Sequence, residues 1–247
     1  LSGYDVGIFH LSNHAFFKAL LFLAAGSIIH AIADEQDMRN MGGLQKLLPL
    51  SYSAILIGSL ALTGFPFLSG FFSKDFILEI AYAKFNLVGH FSYGLGTLAA
   101  FCTAFYSSKL LYFVFLANPN GNKKTILNAT ESSWFITTPL IILIILSMFI
   151  GYLSYDVFVG FGTNYWNNSI FILPINYSAS DIEFIPTFYK ILPYFVSIFG
   201  FVLAIVLYSP IFNNVFYRVK QSSIFYAIYT FLNKKWFFDR IYNQFVA

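Results

Sequence analysis

The chain has 247 residues, of which 58% are hydrophobic and 10% are charged. That composition excludes a water-soluble globular domain, and several apolar stretches exceed the ~18 residues that predict a transmembrane helix. The formal net charge of +3 comes without a cluster of basic residues, so no nucleic-acid partner is expected. The single cysteine, Cys102, leaves no intrachain disulfide and no cysteine-based metal site.

The first predicted span, Tyr4 to Ala33, carries His10, His14 and Lys18 at steps of four residues. A helix places these three side chains on one face. A basic group at the centre of a bilayer costs at least ~2.5–3.5 kcal/mol, so such residues usually line a polar pathway. Histidine titrates near neutral pH, and a buried lysine can be neutral or charged depending on its neighbours. We therefore predict a proton pathway along this helix.

Interpretations of the same residues without a proton pathway stay open. The two histidines could be packing residues bonded to backbone or serine, or could bind zinc, although further zinc ligands are lacking here. His30 lies one turn from the inner end of the helix, where it is either a proton-uptake group or a satisfied terminal residue.

The second apolar region, Leu47 to Lys84, is too long for one ordinary span. Its middle reads Thr63-Gly64-Phe65-Pro66-Phe67-Leu68-Ser69-Gly70. Proline removes a backbone donor and the two glycines loosen the helix, so we predict one crossing built from two half-helices. Broken helices occur at membrane depth where a cavity or an ion pathway satisfies the freed backbone groups.

Three ionisable residues, Lys74, Asp75 and Glu79, follow the break. A second lysine in an apolar segment predicts a second proton-carrying site. Alternatively, Lys74 and Asp75 form an ion pair that only stabilises the break. Glu79 lies near the outer end, as either a proton-exit group or a solvated surface residue.

Three more spans are predicted at Leu87 to Leu116, Trp134 to Leu153 and Thr187 to Ser209. The fold class is therefore an all-α polytopic membrane protein with about five crossings, one of them discontinuous. No stretch shows the alternation of barrel strands. After Pro210, aromatic residues are mixed with basic ones, which predicts an interfacial amphipathic segment.

Loop charges predict the orientation. One side of the predicted membrane carries nine basic residues and the opposite side carries only Lys84 and Lys190. By the positive-inside rule, the basic side faces the matrix or cytoplasm and the N-terminus faces the other side. The nine residues are Arg39, Lys46, Lys123, Lys124, Arg218, Lys220, Lys234, Lys235 and Arg240.

Three blocks in order, Phe9–Leu23, Asp34–Leu44 and Gly64–Asp75, resemble the antiporter-like subunits of respiratory complex I. The resemblance is strong over Tyr4–Leu116 and looser over Trp134–Ala247. It implies a subunit of a proton-translocating NADH:ubiquinone reductase with no redox chemistry, cofactor or metal in this chain. FMN, iron–sulfur clusters and ubiquinone would lie elsewhere in the complex.

The resemblance also implies roles for individual residues. Lys18 would be the central relay lysine of the second half-channel, with His10 and His14 linking water chains to it. Lys74 on the broken helix would be the terminal lysine from which protons leave toward the outer side, assisted by Asp75 and Glu79. Heavy use of Phe, Tyr, Ile and Asn is typical of organellar coding and favours the mitochondrial inner membrane. The N-terminus would then face the intermembrane space and the C-terminus the matrix.

The family pattern is longer than this chain. The resemblance divides the chain into a half-channel core at 1–116, two further transmembrane helices with an outer loop at 117–209, and an inner-side interfacial segment at 210–247. The family's first half, its long lateral helix and its last span are missing, and the chain begins with Leu1. We expect a naturally split subunit or a segment of a longer one. Partner chains would supply the N-terminal half and the lateral helix, alongside other membrane-arm subunits and lipids.

Two other functions stay open. One is a cation/proton antiporter subunit of the same superfamily, which shares the pumping residues. The other is a structural membrane-arm segment without its own proton path. Polar groups that connect Lys18 with Lys74 would favour a pathway, whereas a dry, apolar gap between them would favour the structural role.

Overall fold

A computed structural model describes residues 3–160, 163–167, 169–171, 180–212 and 222–246. Within these ranges the chain forms helices and turns, with no β-strand. It divides into two compact units, residues 1–204 and 205–247, each described separately. The predicted basic residues Arg218 and Lys220, and the rest of 213–221, lie outside the described residues.

The α-helices in chain order are α1 (Tyr4–Ala31), α2 (Pro49–Thr63), α3 (Ser69–Ala83), α4 (Leu87–Leu111), α5 (Lys123–Leu127), α6 (Trp134–Val159), α7 (Thr187–Tyr208), α8 (Ser223–Asn233) and α9 (Phe238–Ile241). Short 3₁₀ turns lie at Met38–Asn40, Leu44–Lys46, Ser180–Phe184, Pro210–Phe212 and Lys235–Phe237, and π-turns at Tyr112–Leu116 and Tyr242–Val246. The predicted all-α fold is confirmed.

Four helices of the described chain are long and apolar enough to cross a membrane: α1, α4 with its π-turn, α6 and α7. The fifth predicted crossing falls on α2 and α3. Each has 15 residues, which is shorter than the ~20 residues that one span requires. Together they have the length of a crossing with an interruption in its middle.

The break between α2 and α3 covers Gly64 to Leu68, inside the predicted interval. Gly64 adopts a left-handed φ of 83°, and its amide caps α2 by donating to the Ala61 carbonyl at 3.2 Å. The two half-helices then approach in backbone contact. A Cβ added to Gly70 would overlap the Ala61 carbonyl oxygen, so only glycine fits there.

Helix α1 packs against α2, α3 and α6, while α3 also contacts α4 and α6. The largest cluster of buried side chains joins α1, α2, α4 and α6, and includes Leu20, Ile28, Ile55, Leu111, Phe115 and Leu140. Helix α4 holds α7 through hydrogen bonds from Tyr93 Oη to the Tyr189 carbonyl and from Ser108 Oγ to the Phe201 carbonyl.

The loops of the first unit meet at two opposite ends. The loop after α1 contacts the loop after α4, where the Asn120 amide donates to the Met41 carbonyl at 3.1 Å. Ile80 and Ala83 at the end of α3 form a buried cluster with Val6, Ile182 and Ile185. We name the end with the basic loops 32–48 and 117–133 the inner end, and the opposite one the outer end.

Three predicted boundaries are corrected by the structure. Helix α1 ends at Ala31 rather than Ala33, because Ala33 and Asp34 take left-handed φ values of 55° and 62°. Helix α7 ends at Tyr208 rather than Ser209. Helix α6 continues past Leu153 to Val159, since the following residues are apolar enough to extend it, and Asp156 is therefore helical rather than in the outer loop.

Candidate functional site

The side chains of His10, His14 and Lys18 follow one another along α1, at the spacing of one helical turn. Lys18 is near the middle of this 28-residue helix. The ring centroids of the two histidines are 5.9 Å apart, and His14 packs edge-on against Phe17 at 5.2 Å. All three ionisable side chains are half-buried. The predicted common face is therefore present in the fold.

His10 reaches from α1 to the second half of the broken crossing. Its Nδ1 lies 2.9 Å from the Oγ of Ser73, which is fully buried in α3. Which atom donates depends on the histidine tautomer, so the bond can form in either direction. Sequence reasoning missed Ser73. The only signal for it was its position directly before Lys74.

Lys74 bridges the break. Its Nζ donates a 2.9 Å hydrogen bond to the carbonyl of Thr63, the last residue of α2. Carbonyls at a helix C-terminus lack intrahelical donors and carry the negative end of the helix dipole, so an ammonium group is favoured there. In the part of the chain that the structure describes, Lys74 makes this contact rather than a salt bridge with Asp75.

Three carboxylates face one cavity toward the outer end. Asp75, Glu79 and Asp156 line a space of about 340 Å³, together with the aromatic residues Phe71, Phe72, Phe76, Tyr152 and Tyr155. At ~30 Å³ for each water in the liquid, this volume can hold several waters. Asp156 was missed by sequence reasoning because the predicted span ended at Leu153.

Lys18 lines a second cavity of about 170 Å³. Its polar lining comes from Ser59 on α2 and from Tyr106 and Ser107 on α4. The Lys18 Nζ is 5.8 Å from the ring centroid of Phe22, within the range of a cation–π contact. The lysine therefore shares an otherwise apolar cavity with hydroxyl-bearing residues of two neighbouring helices.

The structure gathers six of the seven predicted residues into one region. Helix α1 carries His10, His14 and Lys18, and the His10–Ser73 hydrogen bond connects it to the helix of Lys74. The outer cavity is lined by Asp75 and Glu79 of that same helix. His30 is exposed in the last turn of α1, away from this group. Both predicted interpretations of His30, a proton-uptake group or a satisfied residue at the helix end, stay open.

Comparison with known proteins gives one matching family and several similar full-length proteins. Residues 1–117 match the profile of the family described as NADH:quinone oxidoreductase/Mrp antiporter, TM. The chain is 53% identical over 246 residues to NADH-ubiquinone oxidoreductase chain 5 of Phytophthora infestans, covering 100% of this chain and 37% of that protein.

Proteins with the same name from two other organisms are similarly related. The protein of Acanthamoeba castellanii is 52% identical over 99% of the present chain, and that of Marchantia polymorpha is 48% identical over 100% of the present chain. The matched segments make up 36% and 37% of those relatives, so the chain spans less than two fifths of their length. The predicted resemblance to antiporter-like subunits is confirmed.

Proposed function

Because the chain belongs to the NADH:quinone oxidoreductase/Mrp antiporter transmembrane family, we propose that it translocates protons as a membrane-arm segment of a respiratory NADH:ubiquinone oxidoreductase. The chain is an integral membrane protein, with four helices of spanning length. Quinone reduction, with FMN and iron–sulfur clusters, would take place in partner subunits. This segment would supply part of the proton path.

The observation that carries the proposal is the hydrogen bond between His10 and Ser73. It joins the three-residue row on α1 to the half-helix that bears Lys74, which supports a polar connection between the two lysines. A dry, apolar gap would have favoured a purely structural segment instead. Lys74 in turn contacts Thr63 across the break, and the residue after it, Asp75, lines the acidic outer cavity.

The order of the groups suggests a route for a proton. It would pass from Lys18 to His14 and His10, then through the Ser73 hydroxyl to Lys74. The histidine rings, 5.9 Å apart between centroids, are at a separation that one water can bridge. Asp75, Glu79 and Asp156 would then receive the proton in the outer cavity, where carboxylates can pass it to water.

Electrostatics can drive such a transfer. Two unit charges 4 Å apart interact with about 4 kcal/mol at an effective dielectric constant of ~20. That energy changes a proton equilibrium by about three orders of magnitude. A charge that arrives near Lys18 or leaves Lys74 is therefore sufficient to move a proton between them. Events in partner subunits would supply that charge.

The basic loops and the family relationship also suggest an orientation in the membrane and a set of partners. The basic inner loops would face the mitochondrial matrix and the outer cavity the intermembrane space, with the N-terminus on the outer side. The partners would be other membrane-arm subunits, chains that supply the remaining family segments, and lipids. A cation/proton antiporter of the same superfamily is the alternative, since it would use the same relay residues.

Replacing Lys18 tests the relay. In the assembled complex reconstituted in liposomes, Lys18→Ala should lower the ratio of protons pumped to electrons transferred, while the amount of assembled complex stays normal. Lys109→Ala is the matched control, because this lysine lies near the inner end of α4 outside the relay. A wild-type ratio in the Lys18 variant would overturn the assignment.

Orientation can be tested independently by labelling. After Cys102→Ala, a cysteine at Asn122 should react with an impermeant maleimide only from the matrix side, and one at Asn164 only from the intermembrane side. Both residues are exposed. They flank the 26-residue α6, which is ~39 Å long and sufficient to cross the membrane. Labelling of both from one side would refute the proposed topology.

A further inference from the structure

A second polar cluster lies at the inner end, apart from the histidine and lysine row. Its centre is Glu131, in the loop before α6. One carboxylate oxygen accepts hydrogen bonds from the backbone amides of Leu50 at 2.7 Å and Ser51 at 3.0 Å. The other oxygen accepts the Ser51 hydroxyl at 2.9 Å. Glu131 therefore caps the first turn of α2, where amides without intrahelical partners favour a negative charge.

Capping alone does not account for the groups behind Ser51. The Ser27 Oγ lies 3.3 Å from the Ser51 Oγ and 2.7 Å from the Ser132 Oγ. Ser27 is 4% exposed and Ser51 is completely buried. The half-buried carboxylate thus continues into a chain of hydroxyl groups that joins α1, α2 and the loop before α6. Hydroxyl groups both donate and accept, as a proton-conducting chain requires.

This cluster points toward the cavity of Lys18. Ser51, Ile55 and Ser59 follow at steps of four residues along α2, so each is ~6 Å from the next. Ile55 and Ser59 line the Lys18 cavity. Only the side chain of Ile55, which is 1% exposed, intervenes along α2 between the serine cluster and the first hydroxyl of that cavity.

We propose that Glu131 collects protons on the inner side and passes them through Ser51 and Ser59 to Lys18, with Ile55 as an apolar gate between the two polar compartments. This inference rests on the proposed function, because it assigns the source of the proton that Lys18 relays. At each step a hydroxyl oxygen accepts one proton and releases another, and water that enters when the Ile55 side chain moves aside would carry the proton across the ~12 Å between Ser51 and Ser59. One proton therefore moves from the inner side to Lys18, and only O–H and N–H bonds form and break.

The position of Glu131 in a partly exposed loop agrees with this role. Its neighbours Thr130 and Ser133 are exposed, and Glu131 itself is half-buried at the inner end. The carboxyl group thus bonds to the buried Ser51, while neighbouring residues of its loop are exposed. A proton can reach it from water without crossing the apolar core, and the Ile55 side chain would slow exchange in both directions between the serine cluster and the Lys18 cavity.

The substitution Glu131→Gln distinguishes a proton-carrying role of this residue from a role as a helix cap. The amide oxygen still accepts the Leu50 and Ser51 amides, but glutamine cannot carry the proton. In the assembled complex in liposomes, we expect its proton-to-electron ratio to fall to the value of the Lys18→Ala variant. Glu35→Gln is the matched control, since Glu35 is another half-buried carboxylate that accepts a backbone amide, that of Asp37, in an inner loop.

The outcomes distinguish the two roles. A wild-type ratio in Glu131→Gln together with a loss in Glu131→Ala would show a structural cap and overturn the inference. If Glu131→Gln does not assemble, Ser59→Ala leaves the cap intact and should show the same loss, whereas Ser59→Thr should retain pumping. A wild-type ratio in Ser59→Ala would overturn the route. A wild-type ratio in Lys18→Ala would instead reject the proposed function itself.

Discussion

The Nδ1 of His10 and the Oγ of Ser73 lie 2.9 Å apart, although 63 positions separate the two residues in the sequence. This contact joins the long first helix to the outer half of the broken crossing. It lies within a few residues of both Lys74 and the acidic outer cavity. The proposed proton route therefore depends on one hydrogen bond between two helices.

Removing the Ser73 hydroxyl should slow proton transfer. Ser73→Ala deletes the hydroxyl through which the proposed route passes from His10 to Lys74, and a transfer barrier higher by about 1.4 kcal/mol would lower the rate tenfold. Ser73→Thr keeps the hydroxyl and should pump at close to the wild-type rate. Ser53→Ala, which removes only a local bond to the Pro49 carbonyl, is the control for loss of a serine. Proton uptake by liposomes measures the effect, and equal rates in Ser73→Ala and wild type would contradict it.

Lys74 should have separable structural and proton-carrying roles. Lys74→Gln keeps an N–H donor for the Thr63 carbonyl, so the complex should assemble while pumping falls as in Lys18→Ala. Lys74→Met removes the donor from a helix end, which should cost about 1–3 kcal/mol and reduce the amount of assembled complex. Native gel electrophoresis and the proton-to-electron ratio distinguish the two effects. Full pumping by Lys74→Gln would exclude the lysine from the route.

Close packing at the break should make Gly70 sensitive to substitution. In Gly70→Ala the new Cβ would overlap the Ala61 carbonyl, and both are backbone-bound atoms that no side-chain rotation can separate. Overpacking of this kind costs about 1–3 kcal/mol or more, so the thermal stability of the complex should fall. Gly94→Ala is the control, because a Cβ there would have open space within 4 Å. Similar melting temperatures for both variants would argue against the tight crossing.

Acid should weaken the 3₁₀ turn Met38–Asn40 in the inner loop, which Asp37 caps. Hydrogen bonds from the Arg39 side chain and backbone amide lower the pKa of Asp37 from 3.8 to about 2. Because the folded pKa is depressed, the stabilisation is present above pH 3.8 and is lost as the pH falls toward about 2. The pair is exposed, so its effect on global stability should be small.

Arg39→Gln tests this local effect, because it should return the pKa of Asp37 toward 3.8. Titration of carboxyl resonances in carbon-13-aspartate-labelled protein measures the change, with Asp37→Asn to identify the signal. An unchanged titration in the arginine variant would show that other groups hold the aspartate in its charged form.

Much of this molecule could be predicted from local sequence. Spans follow from the lengths of apolar stretches, and the break follows from Pro66 with Gly64 and Gly70. The common face of His10, His14 and Lys18 follows from helical periodicity. Span ends were less predictable: α6 runs to Val159, and Asp156 joined the outer cavity only because the helix continued.

Sequence alone thus determined which residues are expensive to bury, because burial cost is a property of each side chain and its apolar neighbours along the chain. Tertiary structure alone decided their partners: Ser73 for His10, Thr63 for Lys74 and Ser51 for Glu131. Apolar helices in a membrane pack through shape and sparse polar contacts rather than through a distinct hydrophobic face. Their composition therefore does not specify which surfaces meet, and the contacts on which the proposed route rests could be identified only after the helices were packed.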